Sequence, residues 1–556
     1  VRITDTSDLW WKNAITYCLD VETFLDSDGD GVGDLAGLSQ RIDYLAELGV
    51  TCLWLMPFYP GPQRDDGYDV SDMYGVDPRF GDLGHLVEVV RTAHDRGMRV
   101  IADLLVNHTS DKHPWFVSAR RSTSSPYRDY YVWREDEPPD TSDQVVFPDK
   151  EDGIWSLDER TGQWYLHHFY RHQPDLNIAN PAVVEEIVRV IGFWLELGLD
   201  GFRVDAVPFF VADVETGDAA HAGDPHELLE RVRSFLGRRR GDAVILGEVN
   251  LPYDQQLDYF GGSEGNELQM MFDFELMQAT YLSFARADAA PLVAALGRRP
   301  EIHPTCAWAT FLRNHDELTL DQLDPAERQE VFDAFGPEEH MQLYGRGLRR
   351  RLPPMFDGDP RRIRMAYSLL FSLPGSPTLF YGEEIGMGEN LDIPGRLAVR
   401  APMQWAPDDN GGFSTAPARR LARPVVGDGY APEHVNVADQ TQDPDSLWTF
   451  LRALIWVRRA CPEVGWGTCT VLDVGASQVV AHRCDLEQAT TIALHNLSPD
   501  PVVVTIPAAR ESDGHEVIDA FTHERVGPVT EPLEIALAGY GHRWLRLRPE
   551  GEALIP

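Results

Sequence analysis

Apolar residues recur along the chain in two rhythms. Short continuous runs read as buried strands, and longer stretches with apolar positions three and four apart read as helices. Ala14–Val21 begins the series, Leu38–Leu48 has helical spacing, and Thr51–Met56 is a second apolar run. His85–Arg96 is helical and stops at Gly97; Arg99–Val106 is the third strand. Ala182–Leu197 is helical up to Gly198, and Gly201–Val204 follows as the fourth strand. Ala243–Val249, Leu268–Phe274, Ala307–Leu312 and Thr378–Tyr381 bring the strands to eight. Strands buried on both faces and separated by helices imply a parallel α/β architecture, and eight of them imply a closed (β/α)8 TIM barrel.

Two regions depart from this alternation. Thr109–Asp175 is rich in Asp, Pro, Trp and Tyr, shows no clean helix, and reads as a small irregular domain inserted after strand three. From about Val464 onward short alternating runs such as Val502–Ile506 are divided by Gly, Pro and Asp turns, as in a C-terminal antiparallel β-sandwich. The expected domains are therefore 1–108 and 176–463 for the barrel, 109–175 for the insertion and 464–556 for the sandwich.

Charge narrows the choice of partner. Forty-nine basic against 89 acidic residues leave a net charge of −40, which repels nucleic acid. Only three of the basic residues are lysines: Lys12, Lys112 and Lys150. No apolar run reaches the roughly 18 residues that span a bilayer, and Val1–Asp5 has no apolar signal core, so a cytoplasmic protein without a membrane partner is expected. Self-association stays open. Cys18, Cys52, Cys306, Cys461, Cys469 and Cys484 form no C-x-x-C pair and read as reduced core thiols. Arg349–Arg351 with Arg361 and Arg362 reads as a solvated, ion-paired surface. Trp155, Trp164, Tyr165 and Tyr170 suit sugar stacking and core packing equally.

Barrel active sites lie at the C-terminal ends of the strands. Here those ends carry Asp103…Asn107-His108, Arg203-Val-Asp205, Glu248, and Asn314-His315-Asp316. Cleaving an acetal requires an acid for the leaving oxygen and a carboxylate for the oxocarbenium-like carbon, and this set contains both.

These four segments resemble the signature regions of the α-amylase superfamily, glycoside hydrolase family thirteen. The resemblance implies Asp205 as nucleophile, Glu248 as general acid/base and Asp316 as transition-state stabiliser. It also implies that Arg203 lowers the pKa of the nucleophile, and that His108 and His315 bind sugar hydroxyls. Phe58–Asp69, His172–Asn177, Asp205–Pro208, Phe311–Leu320, Tyr381–Gly388 and Pro402–Trp405 are similar to the trehalose synthase branch, whose members isomerise maltose to trehalose. By that similarity Asp66, Tyr68 and Arg400 line the first sugar subsite. The expected ligands are small α-glucosides such as maltose, trehalose and sucrose. An α-glucosidase with hydrolytic or broader transglycosylating activity is the alternative. A non-catalytic relative such as an amino-acid-transporter heavy chain is remote, because all three carboxylates are present and no membrane helix is.

No organic cofactor is implied. Asp26-Ser-Asp28-Gly-Asp30-Gly-Val32-Gly-Asp34 spaces four carboxylates as a hard cation requires, though Gly37 stands where an EF-hand has Glu. Similar loops in family relatives bind calcium or magnesium. The resemblance implies a second calcium site at Asn107 and Asp175, although Ala212 stands where the branch has a further Glu. In the loop Pro394–Ala401 the branch flanks its first arginine with acidic residues. Here Gly395 and Leu397 flank Arg396, so looser loop closure is expected.

Overall fold

Eight strands of three to six residues, almost wholly buried, leave no face for solvent and close on one another. In a computed structural model describing residues 9–210, 225–507, 515–528 and 532–549, the barrel consists of β1 (Thr16–Leu19), β2 (Cys52–Leu55), β3 (Arg99–Leu104), β4 (Gly201–Val204), β5 (Val244–Gly247), β6 (Met270–Phe272), β7 (Ala307–Phe311) and β8 (Ser376–Phe380). Each pairs in parallel with its sequence neighbours, and β8 returns to β1 with Thr16 opposite Thr378.

The connecting helices begin and end where their caps dictate. In α1 (Leu35–Leu48) the Asp34 side chain accepts from the Gly37 N–H, and Gly49 stops the helix at φ +102°. In α2 (Leu83–His94) Asp82 caps in the same way, and α3 (Pro181–Glu196) starts at Asn180 with proline in its first turn. Along α3 Val183, Ile187, Val190, Ile191 and Trp194 form the buried stripe.

Between β3 and β4 the chain forms a three-stranded antiparallel sheet, Trp133–Arg134, Gln163–Leu166 and Trp155–Asp158, preceded by a six-residue helix at Pro114–Ala119. The sequence shows neither, because elements of two to six residues are too short to display a period. Val132, Ile154, Trp155 and Leu166 form its core. Trp155 is therefore packing material, and the bridge His108–Asp175 pins both ends of the insertion to the barrel.

The C-terminal region is antiparallel: β9 (Thr468–Val471), β10 (Val479–Leu486), β11 (Ala489–Asn496), β12 (Val502–Ile506), β13 (His515–Asp519), β14 (Arg525–Pro528), β15 (Leu533–Leu537) and β16 (His542–Pro549). Six strands run in the order β9-β10-β11-β16-β13-β14, and β12 pairs with β15. Val504, Ile506, Ile535 and Leu537 of the small sheet pack on Leu494 and Leu545 of the large one. The other face of the large sheet meets the helix Pro360–Ser372, where His495 reaches Ser368 Oγ at 2.9 Å and His482 reaches the Ser372 carbonyl at 2.8 Å.

All six cysteines are free thiols. The arginine block divides: Arg361 is exposed and ion-paired with Asp359 at 2.7 Å, but Arg351 is not on the surface. Arg351 is 1 % exposed and donates to the carbonyls of Val399 and Tyr381, as loop carbonyls buried behind β8 require a donor. No helix among the described residues is long and apolar enough to cross a membrane.

Candidate active site

Parallel register places Asp103 of β3 directly beside Arg203 of β4. Arg203 is 1 % exposed and serves three carboxylates. One nitrogen holds Asp103 and also reaches Asp205 Oδ1 at 2.6 Å; the other reaches Glu248 Oε2 at 2.7 Å. Trp54 donates to the free oxygen of Asp103 at 2.8 Å, which fixes the base of the cluster. The N–H of Ala206, a residue at φ +52°, donates to Glu248 at 3.1 Å. Asp205 and Glu248 thus converge on one guanidinium. Asp316 stands apart from it, on Arg396 at 2.9 Å, Arg400 at 3.0 Å and His315 at 3.2 Å.

These surroundings push the three acids in different directions. Burial raises Glu248 to about 7, with Asp205 and Asp316 adding to the rise and Arg203 opposing it. Burial also raises Asp205, to about 6, against the pull of Arg203. Arg203 lowers this pKa as expected, but burial with Asp103 and Asp316 nearby outweighs one shared cation, so the net shift is upward. Burial acts upward on Asp316 too, but Arg396, His315 and Arg400 together hold it well below the carboxylate range. Near neutrality the cluster can present an ionised carboxylate, a protonated acid and a permanently charged third group.

Asp66, Tyr68, His315 and Arg400 gather on the same side. Arg400 bridges Asp66 and Asp316, and its Nε donates to the His315 carbonyl at 2.7 Å. The Tyr68 ring lies parallel to His315 at 5.6 Å, with its hydroxyl 2.7 Å from Nε2. Burial lowers the His315 pKa to about 4, so the ring is neutral. His108 is anchored within the protein. Its Nε2 faces the Tyr68 carbonyl at 3.0 Å and its Nδ1 faces the Asn107 amide at 3.3 Å, so it braces the turn that carries Tyr68. Beyond Glu248 a cavity of about 340 Å³ opens, with Phe169, Phe209, Glu317 and Arg396 among its walls.

The α-amylase catalytic-domain family matches residues 21–322 and 349–467, and the sucrose hydrolase-like C-terminal domain matches 489–546. The chain belongs to the α-amylase family. It is 40 % identical to a trehalose synthase/amylase of Mycobacterium tuberculosis, over 97 % of this chain and 90 % of that one. It is 38 % identical to a trehalose synthase of Pimelobacter sp., over 97 % and 96 %. An α-amylase crystal structure from H. orenii superposes with a TM-score of 0.78 at 27 % identity, over 97 % of this chain and all of the other.

Within this α-amylase-family site, three residues escape sequence reasoning. Asp103 was visible as a strand end, but its role of sharing Arg203 requires the register. Arg396 was seen as an arginine without acidic neighbours. The structure gives it Asp316 and Glu317 from the end of β7, both at 2.9 Å, and lays it over Phe147 at 4.8 Å. Arg423 has no motif around it, and no local signal could have found it.

The acidic loop partly fits a hard cation. Oxygens of Asp26, Asp28 and Asp34 lie within 4.8 Å of one another, about twice a calcium–oxygen bond. Asp30 is outside this cluster, its carboxylate accepting from the N–H of Val32 at 2.8 Å. Asn107 and Asp175 do not fit a second ion. Asp175 is held by the His168 ring, and it is the amide nitrogen of Asn107 that lies 3.3 Å from it. Ala212 lies outside the described residues.

Proposed function

We propose that the enzyme isomerises maltose to trehalose by moving one glucosyl group within the site. Asp205 attacks C1 of the non-reducing glucose while Glu248 protonates the glycosidic oxygen, giving a glucosyl ester on Asp205 and free glucose. Asp66, Tyr68, His315 and Arg400 hold the glucosyl group, and Asp316 binds it in the transition state. The freed glucose turns in the cavity. Glu248 removes the proton from its anomeric hydroxyl, whose oxygen attacks C1 and releases Asp205. The observation that carries this reading is the pair of buried acids on one shared guanidinium, where burial, opposed by that cation, leaves Glu248 at about 7 and Asp205, at about 6, ionised at neutral pH. Identity of 38–40 % with trehalose synthases over nearly the whole chain supports the choice of substrate.

Incubation with maltose tests it. Trehalose with little glucose is the expected product; mainly glucose, or longer oligosaccharides, would identify an α-glucosidase of the same fold instead.

We also assign Asp26, Asp28 and Asp34 to a structural calcium or magnesium ion. A bound ion stabilises the folded state, so exhaustive chelation lowers Tm. An unchanged melt, with no metal found by elemental analysis, removes the ion from this account.

A further inference from the structure

Asp66 has both carboxylate oxygens engaged. Oδ2 takes an N–H of Arg400, and Oδ1 takes one from Arg423, a residue 357 positions further along the chain. Arg423 is 5 % exposed. It also donates to Asp20 at 3.0 Å, to Glu22 at 2.6 Å and to the carbonyl of Arg400 at 2.9 Å. Oxygens of Asp20, Glu22 and Asp66 lie within 4.8 Å of one another. Three carboxylates that close need a cation between them, and the Arg423 guanidinium stands there.

The three acids depend on it unequally. Asp20 also accepts from the Glu22 N–H and the Thr23 hydroxyl, and Glu22 is paired from outside by Arg79 at 2.7 Å. Among the described residues Asp66 has only the two arginines as hydrogen-bond partners, and it stands in a left-handed turn at φ +52°. Although burial opposes it, Arg423 and then Arg400 hold the Asp66 pKa below the ordinary value. The segment carrying Arg423 is itself clamped. The Ala422 N–H donates to the Gly31 carbonyl at 2.9 Å, and a Cβ on Gly31 would come within 2.2 Å of the Arg420 carbonyl.

We propose that Arg423 is a positioning residue for the donor sugar. It fixes the Asp66 carboxylate and, through the Arg400 carbonyl, the Arg400 guanidinium, so that both meet the glucosyl group in one geometry. A planar fork reaches several acceptors at once, which an ammonium on a flexible stem does not. The proposal rests on Asp66 and Arg400 being sugar contacts.

The test is steady-state kinetics on maltose for Arg423→Gly, Arg423→Gln, Arg423→Lys, Asp66→Asn and the Asp66→Asn/Arg423→Gly double variant, each checked for folding by circular dichroism. Contacts to an unreacting part of the sugar hold ground and transition states alike, so the loss falls on KM. Each Arg423 variant, Lys included, raises KM about tenfold or more, with kcat within about threefold. Added guanidinium ion restores at least about a fifth of the lost kcat/KM in Arg423→Gly, a recovery that a purely structural role would not give. The double variant loses less than the two single losses combined, because the two residues act partly as a unit and only the route through the Arg400 carbonyl adds to the loss of Asp66. If Arg423→Gly does not fold, the Gln and Lys variants carry the KM test. An unchanged KM in the folded Arg423 variants, while Asp66→Asn raises it, overturns the role of Arg423 alone. An unchanged KM in Asp66→Asn overturns the sugar-contact reading and this proposal with it.

Discussion

Asp205 and Glu248 share one guanidinium, and burial opposed by that shared cation sets the pH range in which the pair can work. Below about 6 Asp205 takes up a proton and stops being a nucleophile; above about 7 Glu248 loses the proton that the leaving oxygen needs. The kcat/KM profile on maltose should therefore be a narrow bell, its two limbs belonging to the coupled pair. A profile flat from pH 5 to 8 contradicts this. Asp205→Asn should lower kcat by about 10⁴-fold or more while the fold stays intact, as removal of a covalent nucleophile does. A near-normal rate removes Asp205 from the role. The candidate acids were legible in the sequence because each closes an apolar run, and strand ends of a barrel meet at one mouth. The sign of the Asp205 shift was not legible, since burial and the proximity of Asp103 are properties of register rather than of spacing. That Asp26, Asp28 and Asp34 gather without Asp30 was not legible either, since spacing alone does not say which carboxylates a turn brings together.

At the scale of the element, the loop Gly395–Val399 is a short 3-10 helix that delivers Arg396 to the cavity. Spacing in the sequence suggested a loose loop, because Gly395 and Leu397 offer no charge to Arg396. The partners instead come from Asp316 and Glu317, roughly eighty residues earlier, and no local reading could supply them. Breaking a mostly buried ion pair of this kind costs about 1 kcal/mol or more. Arg396→Ala should thus raise the share of glucose among the products of maltose about tenfold, since about 1.4 kcal/mol shifts a partition by that factor. Gly395→Asp with Leu397→Asp should change the share less than twofold, because Arg396 is already paired. Product chromatography decides. A larger effect from the double aspartate variant would return control of the loop to its flanking residues.

For the whole molecule, the C-terminal sheet rests on the barrel through a row of neutral imidazoles. His482, His495 and His542 stack at 6.3–6.4 Å between rings. Burial depresses all three: His542 lies at about 4, and His495 is pushed further down by His542 and His482 beside it. A base whose folded pKa is depressed contributes stability that is complete above its unfolded value of about 6.5 and is lost as pH falls toward the folded one. Acidification from 6.5 to 4 should therefore lower Tm through these rings. Buried carboxyls such as Asp205 and Glu248 act in the opposite sense, so the comparison is with His495→Gln, which should flatten the slope. An identical slope in parent and variant refutes the assignment. The division into barrel, insertion and sandwich was readable from where the apolar rhythm changes; the docking surface was not, since histidines on strands look like ordinary polar alternation. The placement of Arg423 has a further consequence, in the order of synthesis. The barrel's last strand is complete at Phe380, yet the Asp20–Glu22–Asp66 cluster gains its cation only 43 residues later, at Arg423. At about 5–20 residues per second the ribosome leaves an interval of about 2–9 s in which all eight strands exist but the Asp20–Glu22–Asp66 cluster lacks Arg423, the cation that touches all three. A chain cut inside that interval keeps every catalytic carboxylate and lacks the piece that holds the donor subsite together.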